Sequence, residues 1–555
     1  MKQSRIKRVE KTVETIPYVS IVKAFYENET NIEGVVSISL NDLESPLEFN
    51  IVIYPQYPFK SHESETIKFF NINLLEYNHV MGDGVICIHT SSNPIIEKKL
   101  LIDFESLKNW IVKYYLNNDK DSHYEHLIAP ESTVNDETYA FSFTEVDYKF
   151  SKGEYGFVNL TFLSAGKYRE TKINNYLTQG FVNAFGDNLA FCNWNEAYKK
   201  SENYSHGIFV FLEEAPAKHK RFILTNWIDF SEVLSDEFLK FLHNCEKEYL
   251  KKKRKGQYIP LYVGYKISDV EIHWQTAMIE IGNFPITGVK ENQKWYSRLI
   301  EQETKWGLTR NASYKYFFGR GKFTDSIADK RILIVGLGAI GSIVAKTLVR
   351  CGCRKIDLTD YDRKEPENIC RSEYEFLPGV ADKVEELSNH LYHVSPFVHI
   401  NHINQTYFEV VSKALFDEPK AKKELEDFLN SYDIIFDCST DNDLMYVLNS
   451  LSLNNQMINL SVTNHSKDLV CAFYPNIYNF VTNQFSKILN NNVEDLYNPT
   501  GCWSPTFKAS YNDISSLVQY ALKQINLIFQ EKASRNNFVI TSDIENGYQL
   551  KLKQY

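Results

Sequence analysis

The chain has no apolar run approaching the roughly 18 residues a helix needs to cross a bilayer. Its first segment, MKQSRIKRVEKTVETIP, is basic but lacks the apolar stretch of a secretory leader. There is no CxxC pair. The nine cysteines are scattered, and the CxC at Cys351 and Cys353 lacks the second pair that a structural zinc would need. Without an export signal they are expected to be thiols in a reducing cytoplasm, not a disulfide framework. An excess of positive charge is also missing. Lys and Arg total 61 against 71 Asp and Glu, a net charge of -10, so no dominant nucleic-acid or anionic-membrane surface is implied. The one dense basic block, KKKRK at 251–255, reads as a solvated loop or helix end. Internal repeats and low-complexity tracts are absent as well.

What remains is a soluble-type composition, 43% hydrophobic and 24% charged over 555 residues, long enough for three or four domains. Three textures follow one another. Residues 1–145 read as a helix, an antiparallel meander, a long loop and a second helix, an α+β order. In LEFNIVIY, Phe49, Ile51 and Ile53 alternate with Glu48, Asn50 and Val52, as in a half-buried strand. Residues 146–300 are rich in Tyr, Phe and Trp, with short strands such as YGFVNLTFL, HGIFVFLEE and IPLYVGY, and show no catalytic constellation. A linking or partner-binding α+β domain is expected there. Residues 301–555 alternate strands (RILIVG, KIDLTD, FVHIN, DIIFDCS, MINLSV) with helices, the pattern of a doubly wound α/β domain on a parallel sheet.

In that last region, RILIVGLGAIGSIVAKTLV predicts a strand, a turn with Gly336, Gly338 and Gly341, and a helix. Glycines let a backbone approach phosphates closely, and the helix start offers N–H donors and a positive dipole end. Asp360 ends the next strand, where a carboxylate can hold ribose hydroxyls. These features fit a dinucleotide oxidoreductase equally well. Asn368, Arg371 and Lys383 follow in TDYDRKEPENICRSEYEFLPGVADK, and Asp441 stands in DCSTDN just past a strand. Cations near the phosphates suit a triphosphate that loses pyrophosphate. A carboxylate at a strand end suits Mg²⁺.

The ordered set of GxGxxG, DxD, NxxR, a downstream lysine and TDN resembles the E1/ThiF/MoeB adenylyltransferase superfamily over about residues 320–470. The resemblance implies a Rossmann-like fold. Gly336, Gly338 and Gly341 would cradle ATP. Asp360 would hold the ribose, Asn368, Arg371 and Lys383 the phosphates, and Asp441 Mg²⁺. It also implies a homodimer through this domain, with Arg310 or Arg320 lent across it.

Cys502, in NPTGCWSPTFKASYND before the amphipathic ISSLVQYALKQINLIF, reads as a loop thiol that nearby N–H groups can stabilise. Cys438 and Cys471 sit in apolar strands and read as inert. In the N-terminal region, YPQYPFK followed by NHVMGDGVICI resembles a ubiquitin-conjugating (E2) domain, with Gly84 three residues before Cys87. The family's His-Pro-Asn tripeptide is missing. His79 stands where its asparagine would be and is a candidate oxyanion donor or base. His89 and Trp110 read as structural.

The domain order resembles the bacterial E2–E1 fusions of CBASS antiphage operons. The resemblance implies that a partner's C-terminal carboxylate, that of a cGAS-like nucleotidyltransferase (CD-NTase), is adenylated. It would then pass to Cys502 and Cys87 as thioesters and end on a target amine. A ThiF-like adenylase for a sulfur carrier, with no relay through Cys87, and a non-enzymatic scaffold are the competing readings.

Overall fold

The computed structural model describes residues 2–62, 64–119, 127–199, 204–269, 271–377, 379–403, 418–488 and 509–555. Helix α1 (Lys2–Val13) leads into an antiparallel four-stranded meander in sequential order: β1 (Val19–Asn28), β2 (Asn31–Ile38), β3 (Leu47–Ile53) and β4 (Ile67–Phe70). Phe49, Ile51 and Ile53 of β3 are buried, as their alternation predicts, while Glu48 and Asn50 face water. After the loop at 71–95, α2 (Ile96–Trp110) lays Leu100, Phe104, Leu107 and Trp110 on the meander, a spacing that puts all four on one helical face. The first strand, β1, has no clean apolar alternation, and only Phe25 of it is buried.

The middle of the chain is a nine-stranded mixed sheet. Its strands are β5 (Glu137–Phe143), β6 (Tyr155–Tyr168), β7 (Thr171–Asn183), β8 (Tyr204–Glu213), β9 (Tyr258–Lys266), β10 (Ile272–Glu280), β11 (Lys305–Trp306) and β12 (Leu308–Asn311), with Asn188–Phe191 added beside β7. The order is β11-β10-β9-β8-β6-β7-β5-β12. Strands β5, β11 and β12 belong to this sheet although they lie outside 146–300. Short strands beyond a textural boundary are assigned by pairing, which composition does not reveal. The aromatic richness has a packing cause. On one face Phe181 stacks on Trp274 at 4.6 Å between ring centroids, and Phe150 meets the same indole edge-on at 5.2 Å. Helix α3 (Asp236–Lys251), capped by Ser235, covers the other face with Phe238, Leu239 and Leu242. The basic block at 251–255 follows as the end of α3 and an exposed turn.

The C-terminal sheet has eight strands in the order β15-β14-β13-β16-β17-β18-β19-β20. Five are parallel: β13 (Arg331–Val335), β14 (Lys355–Thr359), β15 (His399–His402), β16 (Ile434–Asp437) and β17 (Gln456–Thr463). Three more extend it antiparallel: β18 (Asp468–Phe473), β19 (Phe538–Asp543) and β20 (Gln549–Gln554). Ile332, Leu333, Ile334 and Val335 are all buried, as expected of a strand covered on both faces. Helices α4 (Ala339–Arg350), α5 (Lys383–Val394), α6 (Asn442–Asn449) and α7 (Tyr511–Phe529) build the layers. The strand order reverses between β13 and β16, which opens a crevice at their carboxyl ends. This unit also joins the middle one. Asn195 Nδ2 donates to the Ser395 carbonyl at 3.0 Å, and Trp194 lies tilted over Phe397.

Candidate active site

The crevice is assembled by register. Val335 pairs with Thr359 on one side and with Asp437 on the other, so β13, β14 and β16 end at one level. Gly336, just past β13, donates from N to the Thr359 carbonyl at 3.0 Å with a φ of +81°. A Cβ there would meet Ser439 Cα at 2.6 Å, and one on Gly341 would meet the Gly336 oxygen at 1.9 Å. Only glycine fits either place. Gly338 differs: a Cβ on it would meet nothing within 4 Å. It is the first residue of the α4 turn, and no side chain caps that helix start. An open, uncapped amide end is a cradle suited to phosphate.

The other expected residues surround this turn. Asp360 accepts from Leu337 N at 2.5 Å and from Asp362 N at 2.8 Å, which fixes its carboxylate beside the glycine turn. Asn368 and Arg371 lie on a 3₁₀ segment, Pro366–Arg371. The Asn368 side chain accepts from Glu365 N at 2.9 Å, so it holds its own segment. That segment is fastened over the glycine turn: Tyr374 Oη donates to the Leu337 carbonyl at 2.7 Å, and Glu373 N to Ser342 Oγ at 3.2 Å. Lys383 starts α5, is buried, and pairs with Asp362 at 2.5 Å. Asp441 is exposed and caps α6, accepting from Asp443 N at 2.9 Å and Leu444 N at 3.0 Å. Arg310 and Arg320 are both exposed, and Arg310 reaches Glu131 at 3.4 Å.

Two carboxylates of this crevice were not singled out in the sequence. Asp362 is the partner of Lys383. Asp437, at the end of β16, is fully buried. It accepts from Ser439 Oγ at 2.7 Å and Asn459 Nδ2 at 2.8 Å, and burial pushes its carboxyl up while those bonds oppose the shift. The repeated acid in DYD, and the acid opening DCSTDN, were the available signals. Among the described residues no three acidic, histidine or cysteine side chains cluster as a metal site, so Asp441 and Asp437 offer only part of a dication's oxygen ligands beside the open phosphate cradle.

Cys502 lies outside the described residues. Burial pushes the thiols of Cys438 and Cys471 well up, which agrees with inert core positions. Cys87 is half-buried in the loop between β4 and α2. Burial raises its pKa, and the charges of Lys68 and Arg221 act against that rise. The ring beside its sulfur is that of His89, with Nε2 3.6 Å from Sγ. His79, the candidate oxyanion donor or base, packs its ring on Tyr114 at 4.6 Å. Its carbonyl is what meets the cysteine, accepting from Cys87 N at 2.7 Å. His79 has a left-handed φ of +61°, and the next residue, Val80, bridges Ile86. Trp110 is core, and its Nε1 donates to the Asn78 carbonyl at 3.0 Å. Beneath the loop, Lys99 is buried against Glu65 at 2.9 Å and against Asp103.

Residues 309–487, in the C-terminal part of the chain, match the ThiF family. Among curated proteins the chain is similar to the ATP-dependent ubiquitin transferase-like protein Cap2 of Enterobacter hormaechei subsp. hoffmannii, 23% identical over 40% of this chain and 38% of that one. It is also similar to ubiquitin-like modifier-activating enzyme 5 of Caenorhabditis briggsae, 39% identical over 17% of this chain and 21% of that one. The chain thus spans well under half the length of these relatives. Among solved structures, Escherichia coli MccB with ATP aligns over 41% of this chain and 65% of that one, at 17% identity and a TM-score of 0.29.

Proposed function

We propose that this protein activates the C-terminal carboxylate of a partner protein as an acyl-adenylate and relays it through two thioesters to an amine. The cradle at Gly338, open and uncapped beside Asp360 and the Lys383–Asp362 pair, is the observation that carries the reading. The α4 amide end receives the phosphates, and Asp360 holds the ribose. Asn368 shapes the segment that brings Arg371 over the turn, and Arg371 with Lys383 offsets charge as pyrophosphate leaves. Asp441, with Asp437 behind it, would hold Mg²⁺, which supplies charge neutralisation at the phosphates. The carboxylate oxygen attacks the α-phosphorus and the bond to pyrophosphate breaks. The Cys502 thiolate then displaces AMP, and the Cys87 thiolate displaces Cys502. An amine, a lysine of the target, finally displaces Cys87. Splitting amide formation into these steps lowers each barrier.

In this reading residues 1–145 act as an E2-like domain, 146–300 as the linking domain and 301–555 as the adenylating domain, dimerised through the last. The domain order, which resembles the E2–E1 fusions of CBASS operons, is the ground for a CD-NTase as the activated partner and for antiphage defence in the cytoplasm as the setting. The test is ATP–pyrophosphate exchange with and without a CD-NTase C-terminal peptide, with Asp441→Ala as control. Exchange that needs both the peptide and Asp441 supports adenylation. Gels of Cys502→Ala and Cys87→Ala then order the relay: with Cys502→Ala both thioesters should be lost, and with Cys87→Ala only the second. Exchange without any thioester would instead favour an adenylase that lacks the relay.

A further inference from the structure

The loop that carries Cys87 is held from outside its own unit. A small hairpin of the middle region pairs Ala217 with Ile223 and Lys218 with Phe222, with His219 and Lys220 in left-handed conformation at its turn. Arg221 follows that turn and is 5% exposed. Its Nη1 donates to the Val80 carbonyl at 3.0 Å and also to the Tyr77 carbonyl. These two carbonyls bracket His79, whose own carbonyl receives Cys87 N. The hairpin cannot easily drift. The Arg221 carbonyl accepts from Ile128 N at 2.7 Å, Ile223 N donates back to Ile128 at 3.1 Å, and the Phe222 ring would stand 3.5 Å from a Cβ on Gly82. Lys220 adds an outer tether to Glu76 at 3.6 Å.

We infer that Arg221 is a positioning residue for Cys87, which makes the middle region part of the transfer site and not only a spacer. The inference rests on the reading of Cys87 as an acyl-accepting thiol. A planar guanidinium can serve two carbonyls at once, and a buried carbonyl that loses its donor keeps the full desolvation penalty. Without Arg221 the Tyr77–Val80 segment would shift, and Cys87 N with it. The same guanidinium lies close enough to favour the thiolate. The charges of Lys68 from β4 and of Arg221 from the hairpin favour the thiolate, and the His89 ring stands beside the sulfur.

The experiment uses the full chain and reads iodoacetamide alkylation of the Cys87 peptide by mass spectrometry across pH, together with amide exchange of residues 79–87. Arg221→Gln should raise the alkylation midpoint, slowing the reaction near neutral pH by about threefold or more. It should also speed exchange in 79–87 while leaving 31–53 unchanged. Arg221→Lys should restore the midpoint but only part of the protection. An unchanged midpoint with unchanged protection in Arg221→Gln overturns the inference. Should that variant not fold, wild-type protection of 79–87 in Arg221→Lys overturns it equally, since the ammonium falls one bond short of the reach of Nη1, which alone serves both carbonyls. These readings need neither ATP nor a partner. A wild-type protein that never forms a Cys87 thioester would remove the relay and leave the positioning result standing.

Discussion

Charge is held in opposite ways at the two ends of the molecule. In the N-terminal unit, Lys99, Glu65 and Asp103 are buried and bond one another beneath the loop of Cys87. In the crevice of the C-terminal unit, Asp360, Arg371 and Asp441 stand at strand and helix ends with access to solvent, while Lys383 and Asp437 are buried. The first arrangement is closed on itself and fixes a loop. The second is open and leaves charge for a ligand. The difference teaches where substitution should unfold the protein and where it should only silence it.

The largest expected effect tests the closed set. Lys99→Met removes one partner and leaves two buried carboxylates, so the N-terminal unit should lose about 3–5 kcal/mol, read by thermal unfolding. A shift of only a degree or two would break the comparison. On the open side, Asp441→Asn keeps an oxygen for the α6 cap but loses the charge. Pyrophosphate exchange should fall by roughly 100-fold or more while the melting temperature hardly moves. Gly338→Ala sharpens the contrast further. The fold has room for the methyl, so unfolding should be near wild type, yet ATP affinity should drop by about tenfold because the cradle is filled.

The pH dependence should separate the two ends as well. Burial works against the Glu65 charge, but bonds from Lys60, Lys99 and Thr90 outweigh it and bring the carboxyl down from 4.5 to about 2. A depressed carboxyl contributes stability above its unfolded value and loses it as pH falls through the folded one. The stability of the N-terminal unit should therefore decline between pH 4.5 and about 2. A Glu65→Gln variant should lack that component in thermal scans over the same range. The smallest effect is expected from Trp110→Phe. It removes the bond to the Asn78 carbonyl and should cost about 1 kcal/mol, with faster amide exchange near residue 78.

Much of this was legible in the sequence. The glycine turn could be read because Gly336 and Gly341 leave no room for any other side chain, and the central strands β13 and β16 because burial on both faces makes them nearly continuously apolar, unlike the edge strand β15, which buries only Ile400. The meander was visible in β3 for the opposite reason, its strict alternation. Strand β1 was not, since most of its residues are exposed and its pattern carries no period. Of the antiparallel extension only the apolar strand around Cys471 was read; β19 and β20 were missed, and the pairing of β18 with β19 joins distant segments and leaves no local mark. His79 was placed by spacing from Cys87, whereas its left-handed backbone and its ring contact with Tyr114 are properties of the folded loop. Asp437 and Arg221 act through contacts made across the fold, and a single residue in a strand or a turn does not announce such a partner.

The pairing of β12 with β5 has a mechanical consequence. The two strands run parallel, Leu308 beside Ala140 through Asn311 beside Phe143. The N-terminal unit enters at the start of β5, and the C-terminal unit leaves from the end of β12. A tension applied between the two outer units would therefore pull these neighbours in opposite directions along their common axis. The load falls on the whole ladder at once, in shear, and cannot open it one rung at a time. In a single-molecule stretching trace, the middle sheet should resist as a stiff clamp between its two neighbours.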